Sequence, residues 1–256
     1  MPASLRVEDR DGGGVRVLTL SNPGRKNAID SVLLGQLDEA VATAKAVRAF
    51  LVLGEGDGIF SAGWDLNDLS TYGEAERLPD EHLSDVLDRL MRHPAPSVAA
   101  IDGPAFGAAC ELALACDFRV AGPRAVLSMP PARLGVVYSL NGLERFRAKV
   151  GDATTRYLFL TGRRIATDEA LRRGLVDVAS PLPAAEAERL CAELAGNAPL
   201  AVAGLKQGLS MLSRGDVSSQ ALADYQAVRR RSFNSSDAAE GRLAILEKRA
   251  PRFHGE

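Results

Sequence analysis

The sequence predicts an α/β protein with a largely parallel sheet, and three observations carry that expectation. Residues 49–53 and 98–101 are short apolar runs of the kind buried on both faces of a parallel sheet. Amphipathic helical patterns alternate with them. Each run also leads into a turn of small residues. The first turn is Phe60-Ser61-Ala62-Gly63-Trp64-Asp65-Leu66; the second is Asp102-Gly103-Pro104-Ala105-Phe106-Gly107-Ala108-Ala109-Cys110-Glu111. Small side chains let a ligand approach backbone N–H groups closely. Two such groups aimed at one oxygen stabilise charge developing on a carbonyl or thioester.

In chain order, Val15-Arg16-Val17-Leu18-Thr19-Leu20 reads as a strand ended by the turn former Asn22-Pro23-Gly24. Asp30 or Ser31 then caps a helix whose Leu33, Leu37, Ala40, Val41, Ala44 and Val47 recur at helical spacing. Residues 49–53 form the first buried strand, and Glu55-Gly56-Asp57-Gly58 a loop. Residues 68–80 are polar and irregular and are expected to be mobile. A second amphipathic helix spans 80–92, stopping before Pro94 and Pro96. Residues 97–101 form another strand, followed by the second turn and a helix from about 107 to 115. Short strands are expected at 118–121, 125–128 and 175–178, and helices near 183–196, 199–213, 217–233 and 236–249. This helical tail has apolar stripes but no strand partners, so it must pack on the core or on another subunit.

Bulk properties narrow the function. The 256 residues suit one sizeable domain, and 46% apolar with 25% charged residues is ordinary for a soluble enzyme. A net charge of −2 gives no global field to recruit nucleic acid or an anionic membrane. One Trp and four Tyr argue against a base-stacking platform. Cys110, Cys116 and Cys191 lack zinc-type spacing and read as reduced, buried thiols. Residues 1–10 mix charges of both signs, which predicts no secretory signal, and no apolar run reaches membrane-spanning length. A cytoplasmic enzyme is expected.

Glu111 is the sharpest single residue, because its helix is apolar nearly all round. Burying an uncompensated carboxylate is expensive. Either it lines a cavity with a raised pKa or it is paired with a cation. Other candidates are weaker. His82, His93 and His254 are scattered without metal-ligand spacing, and Ser61 and Ser139 lack a nucleophile-elbow context. Gly12-Gly13-Gly14 precedes a strand and reads as a hairpin or loop, and Arg229-Arg230-Arg231 as a solvated helix face.

Taken together, these residues resemble the crotonase (enoyl-CoA hydratase/isomerase) superfamily. The resemblance includes Asn22-Pro23 with Asn27-Ala28, both turns, residues 130–135, residues 166–176 and Glu247-Lys248-Arg249-Ala250-Pro251-Arg252-Phe253. It implies a spiral of ββα units over residues 1–195, with a C-terminal helical region over 196–256 for oligomerisation and active-site closure. It also implies a homotrimer or a hexamer, and a coenzyme A thioester as substrate with no further cofactor and no metal. By position, Ala62 and Ala108 supply the two backbone donors and Glu111 the acid/base. Arg25, Lys26 and Ala28 fall where the family meets the coenzyme A nucleotide. Trp64, Asp65, Leu66 and Pro131 fall along the substrate, and Lys248 and Phe253 where a neighbouring subunit's tail can touch it.

One departure limits the chemistry. Family hydratases use two carboxylates, and Pro131 stands where the second belongs. The following segment, Val136-Val137-Tyr138-Ser139-Leu140-Asn141-Gly142, resembles methylmalonyl-CoA decarboxylases, whose tyrosine aligns with Tyr138, although their oxyanion turn carries His where this chain has Trp64. The reading is an acyl-CoA lyase, enoyl-CoA hydratase-like, with Ala62, Ala108, Glu111 and Tyr138 catalytic. A malonyl- or methylmalonyl-CoA-type decarboxylase and a non-catalytic acyl-CoA-binding homologue are the alternatives.

Overall fold

The computed structural model describes residues 3–10, 12, 14–56, 58–69, 78–215 and 217–256. Most of the segment expected to be mobile, 70–77, lies outside these residues. Strands β1 (Ser4–Arg10), β2 (Val15–Ser21), β3 (Ala49–Gly54), β4 (Ser97–Ile101), β5 (Pro104–Phe106), β6 (Phe118–Ala121), β7 (Val126–Ser128), β8 (Ile165–Ala166) and β9 (Val178–Ala179) form two sheets. The larger has the order β1-β2-β3-β4-β6-β9 and the smaller β5-β7-β8. From β2 to β9 the larger sheet is parallel; only β1 runs antiparallel, as a hairpin pairing Arg10 with Val15.

The helices are α1 (Ser31–Ala42), α2 (Leu66–Leu69), α3 (Pro79–Arg92), α4 (Ala108–Ala115), α5 (Pro131–Leu134) and α6 (Leu140–Thr161). They continue as α7 (Thr167–Arg172), α8 (Pro183–Gly196), α9 (Pro199–Arg214), α10 (Ser219–Phe233) and α11 (Ser236–Glu247). Gly151, at φ 76°, divides α6 into two helices end to end.

The two-residue period of a strand explains the layers. Phe50 and Val52 point into a core shared with α1, α3 and α4, whereas Ala49 and Leu51 meet Ala187 and Cys191 of α8. Helices on both faces bury β4 entirely and β3 over residues 49–52, which is why these two runs carry no polar alternation. All three cysteines are free and buried. No helix among the described residues is long and apolar enough to cross a membrane.

The Asp30 side chain accepts the Leu33 N–H at 2.8 Å and starts α1 as predicted, although the helix stops at Ala42, before Ala44 and Val47. Asp30→Ala is expected to lower stability by about 1 kcal/mol, read as a shift in the urea midpoint at unchanged slope. The structure adds one strand and shifts another. Residues 4–10, unassigned from sequence, are an edge strand whose charges pair sideways, Arg10 with Glu188 and Asp9 with Arg16, each at 2.7 Å. The strand expected at 175–178 is instead Val178–Ala179; Leu175 and Val176 are core residues, and Asp177 turns to the buried Arg119 guanidinium at 2.8 Å.

Past α8 the chain is helical. Lys206 of α9 reaches the core, bonding Asp117 at 2.8 Å and the Ala95 carbonyl at 2.9 Å. The tail folds back on α11, where buried Asp237 accepts the N–H groups of His254 and Gly255 at 2.7 and 2.8 Å. Leu205, Leu209, Leu212, Phe233, Ile245 and Leu246 of this region are all exposed.

Candidate active site

The two small-residue turns meet, as their placement after adjacent strands requires. Ser61 bridges Ala105 in parallel, donating its N–H to Pro104 O at 3.0 Å and accepting the Phe106 N–H at 3.3 Å. On the other side, Ile29 bridges Trp64, donating its N–H to Gly63 O at 2.7 Å and accepting the Asp65 N–H on its own carbonyl at 2.8 Å. Gly63 sits at the contact with φ +94°, and a Cβ there would lie 2.3 Å from Phe106 O and 3.6 Å from Ala108 N. Only glycine fits.

Ala108 opens α4, and its N–H is one of the donors that a helix start leaves unbonded within the helix. Among the described residues nothing accepts it. Ala62 corrects the expectation of two open donors. Its N–H donates to Lys26 O at 2.9 Å, so one arm of the cradle is closed. The closure depends on an unusual turn in which Lys26 and Asn27 both have φ 53°. The Asn27 side chain holds that turn, donating to Glu55 O at 2.8 Å and accepting the Asn22 N–H at 3.2 Å.

Glu111 lies on the first turn of α4, 1% exposed, and both of its oxygens are occupied. Oε2 accepts the Tyr138 hydroxyl and Oε1 an Arg145 N–H. Of the two alternatives open from sequence, the cation partner is present. Burial pushes the Glu111 carboxyl above the usual carboxylate range, against the pull of Arg145 and Tyr138. The Tyr138 phenol is likewise pushed well up, by burial first and the Glu111 charge second, so it is a neutral donor. Its ring lies over Gly142, where a Cβ would be 2.5 Å from the ring edge and 3.1 Å from Glu111 Oε1. Pro131 is buried at the start of α5 and brings no ionisable group, as expected.

The remaining predicted residues divide. Arg25 does reach the first turn, but as a partner of the largely buried Asp65, at 2.8 and 3.0 Å to its two oxygens. Ala28 is buried in the same turn and Trp64 packs against the core, whereas Leu66 is exposed at the start of α2. Within one chain Lys248 and Phe253 do not join the site. The Phe253 carbonyl accepts from Arg48, which precedes β3, at the opposite end of that strand from Ala62. A cavity of about 730 Å³ between α6 and α9 is lined by Asp88, Arg145, Lys149, Leu205 and Lys206, and by neither alanine. No cluster of His, Cys, Asp and Glu among the described residues could hold a metal.

Arg145 is the residue the sequence did not announce. The available signal was the buried Glu111 itself, for which a cation partner was one of the two alternatives. Asp80, at the start of α3, was also missed; it accepts the Ser139 N–H at 2.9 Å and so anchors the residue next to Tyr138.

A free backbone donor at a helix start, one turn from a buried carboxylate that holds a phenol, is an arrangement able to polarise a carbonyl and move a proton beside it. The chain belongs to the enoyl-CoA hydratase/isomerase family, whose sequence profile matches residues 10–256, and its function is enoyl-CoA hydratase-like. It is 32% identical to a probable enoyl-CoA hydratase of Mycobacterium leprae, covering 94% of this chain and 96% of that protein. Identity to a carnitinyl-CoA dehydratase of Salmonella arizonae is 36%, over 100% of each. A solved enoyl-CoA hydratase from Polaromonas sp. JS666 superposes with a TM-score of 0.84 at 30% identity, covering 98% of this chain and 100% of that one. The crotonase fold expected from sequence is therefore shown.

Proposed function

We propose that this protein adds water to an enoyl-CoA thioester using one carboxylate and one phenol in place of two carboxylates. The observation that carries this reading is the direct hydrogen bond between Tyr138 and Glu111. In the addition, the Glu111 carboxylate accepts a proton from water as its oxygen bonds to the β-carbon. The thioester becomes an enolate whose oxygen takes the Ala108 N–H, and the Ala62 N–H once the Lys26 carbonyl is displaced. Tyr138 then gives its proton to the α-carbon, and protonated Glu111 restores it across their hydrogen bond. Water is consumed, both catalysts return to their starting states, and no further cofactor or metal takes part.

Arg25 and Lys26 are the cations placed to meet the nucleotide phosphates of coenzyme A, and Ala28, Trp64, Asp65, Leu66 and Pro131 belong to the surrounding wall. Residues 196–256 form an oligomerisation region in this reading. Its exposed apolar side chains fit a homotrimer or a pair of trimers, in which Lys248 and Phe253 reach a neighbour's site. The setting is cytoplasmic.

The test is Tyr138→Phe assayed with crotonyl-CoA. The kcat is expected to fall by about 10²–10⁴-fold with little change in KM, because the phenol acts on the transition state rather than in binding. Release of CO₂ from methylmalonyl-CoA without hydration of crotonyl-CoA would overturn the reading in favour of a decarboxylase. Acyl-CoA binding without turnover would leave a non-catalytic homologue.

A further inference from the structure

We infer that Arg145 is a positioning residue that assigns the two oxygens of Glu111 different duties, and that Asp88 tunes it by sharing its charge. The inference rests on Glu111 being the base proposed above. Its geometry is independent of that reading.

Arg145 extends from α6 into the space between α3 and α4, and its side chain is 3% exposed. Its fork is occupied on every nitrogen. Nη1 donates to Glu111 Oε1, Nη2 to Asp88 Oδ1 at 2.9 Å and Ser84 Oγ at 3.2 Å, and Nε faces Met91 Sδ at 3.2 Å. A planar guanidinium held at three corners cannot swing, so Oε1 is fixed as an anchor. Oε2 alone, already facing Tyr138, is left to exchange protons. Asp88 in turn accepts from Arg92 at 2.8 Å. The cluster therefore holds two guanidiniums and two carboxylates, with neither carboxylate having sole claim on Arg145.

The groups acting on Glu111 are few. Tyr138 and Arg145 meet it directly and the Asp80 charge acts from α3, whereas Ser84 and Asp88 of α3 reach it only through Arg145. Neighbouring Cys110 is pushed up to about 12 by burial and stays protonated. Arg119, on β6, is committed to Asp177. A change in charge at Arg145 or Asp88 therefore registers at Glu111 without another group titrating in between. Asp88 is about one third exposed, with a side-chain accessibility of 35%, and lines the 730 Å³ cavity, so it is open to substitution without stranding a buried charge.

The experiment is the pH dependence of kcat/KM with crotonyl-CoA, whose acid limb reports protonation of the base. A nearby cation favours the ionised carboxylate, so Arg145→Met moves the acid limb up by about 1–3 pH units. Asp88→Asn keeps an acceptor oxygen for Arg145 but removes a competing negative charge, so the limb moves down. Arg145→Lys keeps the charge and loses the fork: the limb stays near its wild-type position while kcat falls and KM holds. If Arg145→Met fails to fold, the test is carried by the other two variants, a lowered limb in Asp88→Asn and an unmoved limb with reduced kcat in Arg145→Lys. An acid limb unmoved by Asp88→Asn, with Arg145→Lys as active as wild type, would overturn the inference. Turnover surviving Glu111→Gln would instead remove the proposed base, so the two failures are distinguishable.

Discussion

Glu111→Gln is expected to lower kcat/KM for crotonyl-CoA hydration by about 10²–10⁴-fold while the protein remains folded. Glutamine is isosteric and can satisfy both neighbours, its carbonyl oxygen accepting from Arg145 and its amide donating to the Tyr138 oxygen. Only the ability to take up a proton disappears. The buried guanidinium keeps Asp88 as a charged partner, so the loss of stability is that of weakening one charged hydrogen bond, about 1–3 kcal/mol. Steady-state kinetics beside thermal unfolding separate the two effects. A variant within tenfold of wild type in kcat/KM would show that the carboxylate serves structure alone.

Gly63→Ala should be among the most damaging single-methyl changes available to the chain. The added carbon would sit 2.3 Å from Phe106 O, and that carbonyl belongs to a strand pinned on two sides, by Ser61 and by β7. At φ +94° the alanine is also in a conformation that L-residues avoid. Steric and conformational penalties together reach about 3 kcal/mol or more. For a domain of this size that is roughly a 6–12 °C fall in Tm. Gly56→Ala is the matched control: φ is +86°, but a Cβ there meets nothing within 4 Å. That change carries only the conformational part, about 1–2 kcal/mol. Equal Tm values for the two variants would mean that the turns do not touch as described.

What could be read from sequence follows from where the physical signal was local. The apolar runs of β3 and β4, and the periodic α1 and α3, were legible because their own residues report burial on two faces or on one stripe. β1 was not, since Arg6, Glu8, Asp9 and Arg10 form no apolar alternation and the strand exists by pairing with β2. β5 and β8 contain three and two residues, too short to carry a period. The catalytic candidates were legible as residue types. The state of Ala62 was not, because its partner is a carbonyl oriented by two left-handed residues elsewhere in the chain. Arg145 was hidden for a similar reason. An arginine within an ordinary amphipathic helix gives no sign that it will be buried.

The hydrogen bond from Ala62 to the Lys26 carbonyl bears on discrimination between neutral and charged ligands. That donor already has a peptide oxygen, a better acceptor than an uncharged thioester oxygen. Exchange therefore yields little for resting substrate. An oxyanion reverses the comparison, since hydrogen bonds to ionised acceptors are roughly twice as strong. Under the proposed chemistry the grip tightens only as electrons arrive, which favours the fleeting species over the stable one. Enolate-mimicking thioesters should accordingly outcompete saturated acyl analogues by more than their shape alone would explain.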